Sequence, residues 1–370
     1  QFIWFWRKLF NLNFLKIMSV VYINSASCIS VQDTLNENFF QQLTPENSAQ
    51  VLKAIEPNYK EFIPAAMIRR MSKTVKMSSI ASHYALKESG IEQPDAIIVG
   101  TGMGCSQDSE KFLKNVIDNN EEFLTPTFFI QSTHNTVAGQ IALGLQCHAY
   151  NFTYVNTSSS LEFSLLDAQL QINNGEAENV LVGSTDEQTE RTLQLYQLNN
   201  TIKKSENLPF DLLNSKTEGV IWGEGSSFFV VGKERTESSY AKLQDIQITN
   251  TFEPDEAQNF IGDFLAKNNL THQDIDAIIL GFSGDANSDV YYTKAMDMFP
   301  NSALLYYKHL SGEFNTASGF STFMACHILK KQEIPDVMKI NSVSKDNVKN
   351  ILIYNHLLGK DHSLMLLEKV

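Results

Sequence analysis

Apolar and polar positions alternate in blocks that read as strands and helices in turn. The clearest block runs from Tyr150 to Ala168. Phe152 to Val155, aromatic and β-branched, reads as a buried strand, and the small polar corner Asn156-Thr157-Ser158-Ser159-Ser160 follows it. Leu161, Leu165, Ala168 and Ile172 then recur at helical spacing until Asn174-Gly175 stops the helix. A strand, Asn179 to Gly183, comes next and leads into Ser184-Thr185-Asp186-Glu187. Strand, tight corner and helix is a geometry that mounts a reactive side chain at a helix N-terminus, where free N–H groups stabilise negative charge.

Elsewhere the pattern predicts a first strand over Ser19–Ala26, then loop plus helix over the polar stretch Val31–Ala54. A helix over Thr74–Ser89 is capped by Gly90. A buried strand from Pro94 enters a turn with Gly100, Gly102 and Gly104. Cys105 and Gln107 break a GxGxxG pattern, so close packing of the turn is expected rather than a phosphate cradle. In Thr125–Ala142 the second half reads as a helix starting near Ser132 or Asn135, and Phe228–Val231 as a strand.

The chain also repeats itself. Asp95-Ala-Ile-Ile-Val-Gly100 returns as Asp276-Ala-Ile-Ile-Leu-Gly281, Asn135-Thr-Val-Ala-Gly139 as Asn315-Thr-Ala-Ser-Gly319, and Asn179-Val-Leu-Val as Asn350-Ile-Leu-Ile353. The gaps are 40 and 44 residues in the first copy and 39 and 35 in the second. A duplicated βα unit is expected, one half over 18–235 and the other over 236–370, with its site at the strand ends.

Composition narrows the function. At 370 residues with 43% apolar and 19% charged side chains the chain is ordinarily globular. A net charge of −13 without any Lys/Arg cluster argues against a nucleic-acid partner. Four scattered cysteines without CxxC spacing point to a reducing, cytoplasmic setting, with no metal and no cofactor expected. Residues 1–17 carry eleven apolar residues interrupted by Arg7 and Lys8, too short a run to span a membrane. Two readings fit them: a non-native leader ahead of Met18, or an interfacial amphipathic helix.

Four stretches in order carry a family resemblance: Ile63–Lys73 with Arg69-Arg70-Met71, the 150–168 corner, Pro209-Phe210-Asp211, and Trp222-Gly223-Glu224-Gly225 before a strand. Together they resemble the β-ketoacyl synthases of the thiolase superfamily. The resemblance implies an α/β fold of duplicated βα halves in five layers, α-β-α-β-α. It also places that family's catalytic positions. The nucleophilic cysteine falls at Ser158, the first histidine at Ser283, and the second at Glu313, near the retained Lys308. The gating phenylalanine becomes Leu358 in Leu357-Leu358-Gly359-Lys360-Asp361-His362.

A serine is a far weaker nucleophile than a thiolate unless a base takes its proton, and one lost oxyanion donor costs about a hundred- to a thousand-fold in rate. Condensation by this chain alone is therefore not expected. A GxSxG elbow is absent, so a polar helix-capping corner is expected at Ser158–Ser160 rather than a hydrolase nucleophile. Acyl transfer through Ser158 with Glu313 as base is the catalytic alternative, and a simple Lys308–Glu313 ion pair the structural one. Cys105 is expected to be a buried structural thiol. His134 has two readings, a pocket residue or a capping or buried histidine.

The family includes heterodimers of an active ketosynthase with a cysteine-less chain length factor, and the chain resembles the latter, as found in aryl-polyene or flexirubin-like pathways. That implies a ketosynthase homologue as partner, or alternatively a homodimer. Acyl carrier protein would be met through the complex, on the partner's basic surface rather than on this acidic subunit. It also implies tunnel or interface roles for Phe129, Gln131, Thr133, His134 and Asn135.

Overall fold

A computed structural model describes residues 20–124 and 126–370. The leader, Ser19 and Thr125 lie outside the described residues. The strands are β1 (Val21–Ile29), β2 (Ala96–Gly100), β3 (Tyr150–Tyr154), β4 (Asn179–Asp186), β5 (Gly225–Gly232), β6 (Ala241–Thr249), β7 (Ala277–Leu280), β8 (Ala303–Tyr306), β9 (Asn350–Leu357) and β10 (Lys360–Glu368). The helices are α1 (Ala65–Ile68), α2 (Lys73–Ser89), α3 (Ser106–Asp118), α4 (Pro126–Gln131), α5 (Thr136–Leu145), α6 (Ser160–Asn173), α7 (Glu190–Leu198), α8 (Ala257–Lys267), α9 (Val290–Met296), α10 (Lys308–Ser311) and α11 (Ser318–Lys331).

The strands form one mixed ten-stranded sheet, ordered β3-β2-β4-β5-β1-β6-β10-β9-β7-β8. That order reads as two matching sets of five, joined where Val21–Ile23 pairs antiparallel with Ala241–Leu243. Helix α6 packs on β2, β3, β4 and β6, while α11 packs on strands of both sets, so these two helices lie between them. Their apolar faces fill the central core with Leu161, Leu165, Phe320 and Met324. A second core under α2 and α5 and a third under α8 and α9 cover the outer faces. The result is helix, sheet, helix, sheet, helix.

The repeated sequences explain themselves as a strand clamp. The Asp95 carboxylate accepts the N–H groups of Glu178 and Asn179, each at 2.9 Å, at the start of β4. Asp276 does the same for Lys349 and Asn350, at 2.8 and 3.1 Å, at the start of β9. The matched asparagines are not equivalent, however. Asn135 precedes α5, which comes before β3, whereas Asn315 precedes α11, which follows β8. The topological counterpart of α11 is α6, so that match is a coincidence of spacing.

Three local expectations are also corrected. Val31–Ala54 holds one 3₁₀ turn, Phe39–Gln41, and no α-helix. Its residues instead pair piecemeal with distant backbone, such as Leu52 N–H to the Trp222 carbonyl. The stretch before Ser132 also forms a helix, α4, ahead of α5. Most consequentially, β3 is a sheet edge, with Tyr150, Phe152 and Val155 42, 44 and 46% exposed. Its aromatic composition matches a buried strand and an interface strand equally well. The opposite edge is covered by the chain itself, since Ile340 donates its N–H to the Leu304 carbonyl and the Asn341 side chain accepts from Leu304 N–H.

Removing either clamp should cost about 1–2 kcal/mol, the scale of two exposed backbone hydrogen bonds. Urea denaturation of Asp95→Ala, Asp276→Ala and the double variant should give losses that add, because the sites lie at opposite ends of the sheet and share no partner.

Candidate functional site

The corner before α6 is set by a close approach. A Cβ on Gly100 would sit 2.4 Å from the Ser160 carbonyl oxygen, and one on Gly102 would meet the Asn315 side chain at 2.3 Å. Only glycine lets the end of β2 lie against the start of α6. The expected close packing of this turn is present, and Gly104 packs against His134 in the same way. The serines do not cap as expected, since Ser159 makes no side-chain cap. Ser160 organises the corner instead. Its hydroxyl accepts the Asn156 N–H at 2.9 Å and lies 2.8 Å from the Thr157 carbonyl.

The β9–β10 hairpin turns directly onto this corner. Leu358 and Gly359 form a two-residue turn with φ of +49° and +76°, pairing Leu357 with Lys360. The expected gating loop is thus reduced to a tight turn. Leu357 and Leu358 pack against a cluster of Ile202, Val220 and Trp222, in which Trp222 stacks on Tyr196 with ring centres 3.8 Å apart. Beyond the turn, Asp361 reaches the corner. The Ser158 hydroxyl donates to its backbone carbonyl at 3.2 Å, and the Thr157 hydroxyl donates to its carboxylate.

Ser158, Ser283, Lys308 and Glu313 are all buried, and each is engaged. Asp289 accepts the Ser283 N–H and hydroxyl at 3.0 and 3.1 Å and the Gly284 N–H at 2.7 Å. Burial pushes the Asp289 carboxyl up to about 6 in spite of these donors. Lys308 Nζ lies 2.6 Å from Glu313 Oε2 and also donates to the His356 carbonyl at 3.2 Å. Burial raises the Glu313 carboxyl, with Lys308 pulling the other way. The hairpin links these groups, since the His356 carbonyl on β9 meets Lys308 and Asp361 on β10 meets Ser158.

Neither Ser158 nor Glu313 is hydrogen-bonded to the other, so the base-and-nucleophile alternative finds no support in the contacts. Glu313 takes the structural role, pairing with Lys308. Cys105 is fully buried and its thiol is pushed up to about 12 by burial, as befits a structural cysteine. His134 and Asn135 are exposed, so a buried His134 is corrected. Thr133 is exposed too, its hydroxyl 2.9 Å from that of Thr136. Phe129 is 57% exposed on α4, and Gln131 is half-buried with its side-chain oxygen unpartnered. Helix α5, which follows them, packs beside β3, where the Asn151 side chain donates to the Ala138 carbonyl at 3.0 Å.

Several residues escaped the sequence reading. Two histidines flank the hairpin turn: the His356 ring stacks on Tyr292 at 4.2 Å, and His362 bonds the Tyr354 hydroxyl at 3.0 Å. Burial lowers the His362 imidazole to about 4 and also lowers His356 well below the usual imidazole range, so both are neutral at pH 7. Asp186 accepts from the Thr101 hydroxyl, Gly102 and Met103 on one side and Thr316 on the other. Glu162, in the first turn of α6, is wholly buried and accepts the Ser363 hydroxyl at 2.9 Å. Its carboxyl is pushed up to about 7 by burial. Acidic residues in an otherwise apolar helix face were the signal for Glu162. Among the described residues no cluster of His, Cys, Asp or Glu could hold a metal, and no helix is long and apolar enough to cross a membrane.

A sequence profile of the β-ketoacyl synthase N-terminal domain matches residues 33–237, and no curated protein matches the chain. Solved structures align over nearly its whole length. The ishigamide ketosynthase/chain length factor is 14% identical, with a TM-score of 0.78 over 95% of this chain and 99% of that one. A β-ketoacyl synthase from Burkholderia phymatum is 13% identical, with a TM-score of 0.79 and the same coverages. A ketosynthase in complex with its chain length factor from Xenorhabdus doucetiae is 12% identical, at 0.76 over 95 and 98%. At these identities the likeness establishes the fold, which is the thiolase-like α/β fold.

Two outcomes follow from the buried charges. Glu313→Leu should destabilise the protein by about 3–5 kcal/mol by stranding Lys308, and adding Lys308→Met should recover most of that loss in urea denaturation. Glu162 has a folded value near 7 against 4.5 unfolded, so the fold favours its neutral form. The stability it contributes is full below about 4.5 and is lost as pH rises through 7. Glu162→Gln should therefore match the parent at pH 4 and exceed it by up to about 3 kcal/mol at pH 8.

Proposed function

Because the chain belongs to the β-ketoacyl synthase family of acyltransferases, we propose that it is the non-condensing member of a pair, a chain-length-factor-like subunit working in the cytoplasm. Its partner is a homologous ketosynthase that keeps cysteine and both histidines. The observation that carries this reading is the state of the three replaced positions. Ser158 is bonded to the hairpin carbonyl, Ser283 to Asp289, and Glu313 to Lys308. Each is a buried polar group already satisfied, so none is free to hold an acyl group or stabilise an enolate. Glu313, when ionised, also repels a malonyl carboxylate.

What the chain does offer is a surface. The open edge of β3 presents exposed aromatic side chains, and Phe129 and Ile130 on α4 are 57 and 61% exposed. An exposed apolar edge strand is a ready site for another chain. Gln131, Thr133, His134 and Asn135 on that surface would help wall the acyl tunnel of the partner, and acyl carrier protein would dock through the complex. The product class, aryl polyene or flexirubin-like, rests on the resemblance of the sequence.

Co-expression with a Cys-His-His ketosynthase should yield a one-to-one complex that elongates malonyl thioester, while this chain alone does not. Phe152→Asp should weaken the complex at least tenfold by placing a charge in an apolar contact. Elongation by the isolated chain would overturn the proposal. A stable homodimer indifferent to any ketosynthase would favour the homodimer instead.

A further inference from the structure

Glu162 is a buried titratable group that the partner role does not use. It stands in the first turn of α6, 1% exposed, and reaches across to the second half of the sheet. The Ser363 hydroxyl of β10 donates to its Oε1 at 2.9 Å, while Oε2 has no hydrogen-bond partner among the described residues. The Ser318 hydroxyl, at the start of α11, is near enough to favour the ionised carboxyl yet makes no hydrogen bond itself. A wholly buried carboxyl with one oxygen left over is an exception that calls for a reason.

No cation balances it. Burial raises its carboxyl, its own N–H and the two serine hydroxyls oppose, and no charged side chain takes part. Tyr307 faces it as a neutral phenol, and Lys308 is taken by Glu313. On β10 itself His362 is neutral at pH 7, and Asp361 accepts the Thr157 hydroxyl. Asp186 on β4 is bound to Thr316, and Asp245 on β6 to Lys267. The strand that Glu162 holds is also interrupted there. The ladder between β9 and β10 shifts register between Lys360 and Ser363, and Asp361 lies in that irregularity at φ +52°. Pairing is already broken at such a bulge. Asp361 is also the residue through which β10 accepts the Thr157 and Ser158 hydroxyls of the corner.

We propose that Glu162 is a proton-operated latch, whose neutral acid closes β10 onto the starts of α6 and α11 and whose ionisation opens the Asp361–Ser363 bulge away from the Asn156–Ser160 corner. In the neutral form Oε1 accepts from Ser363 and the proton on Oε2 turns toward the Ser318 oxygen, so the seam needs no water. Loss of that proton to solvent leaves a charge with no counter-ion, which a dry site cannot keep. Water enters to solvate it, and the bulge yields because the ladder is weakest there. The wedge of Leu357 and Leu358 stays in place, so the opening is local. The folded value, about 7, lies above the unfolded one, so the closed state prevails at low pH and is lost as pH rises through 7. The device rests on contacts within this chain and not on the partner role.

The test is hydrogen exchange of the full chain, read by mass spectrometry at pH 6 and pH 8 and corrected for the intrinsic pH dependence of exchange. Protection of residues 358–366 should fall about tenfold between the two, because it follows the neutral fraction of one carboxyl. Glu162→Gln, which is always neutral, should keep at pH 8 the protection that the parent has at pH 6. Ser363→Ala removes a donor to the ionised form and should move the midpoint of the change to higher pH. Protection that is constant with pH in the parent, an equal fall in Glu162→Gln, or an unmoved midpoint in Ser363→Ala would overturn the latch. The parent and Ser363→Ala decide even if Glu162→Gln does not fold.

Discussion

The governing constraint in this molecule is the cost of leaving a polar group unpaired where water cannot reach it. Around the β9–β10 hairpin Ser158, Ser283 and Glu313 are buried, and each of the three has found a polar partner within the chain. Ser283 turns to Asp289, Glu313 to Lys308, and Ser158 to a backbone carbonyl. The same environment keeps His356 and His362 neutral and raises the carboxyls of Glu162, Asp186 and Asp289. Burial, more than any charge partner, sets the electrostatics here.

That constraint also explains why the hairpin matters. In a loop of several glycines the segment over the corner is free to move. Here a two-residue turn, with Leu357 and Leu358 wedged against Trp222 and Tyr196, leaves no slack.

Much of the fold was legible in the chain because strands and helices buried on known faces leave strong periodic marks. The α6 block, the Gly90 cap and the repeated Asp-Ala-Ile-Ile motif all appear where their spacing places them. The misreadings share one physical cause, which is that local pattern is blind to what covers an element. Phe152 and Val155 read as core because an exposed edge strand and a core strand can be composed alike. The match of Asn135 with Asn315 failed because spacing carries no topology. At the site, family order located Ser158, Ser283 and Glu313, but not their partners. Asp289 and the hairpin carbonyl are joined to them only by the fold, and Asp361 lies two hundred residues from Thr157 in sequence, a separation of |i−j| = 204.

The two ends of the sheet are treated differently. One is sealed by the chain's own 339–341 segment, while the other is left with aromatic side chains toward solvent. On the proposed pairing, that open margin is completed by the partner, so the substitutions tolerated at Tyr150 or Phe152 are set by the partner's surface, and unpaired copies keep a sticky edge open to the cell's disposal machinery.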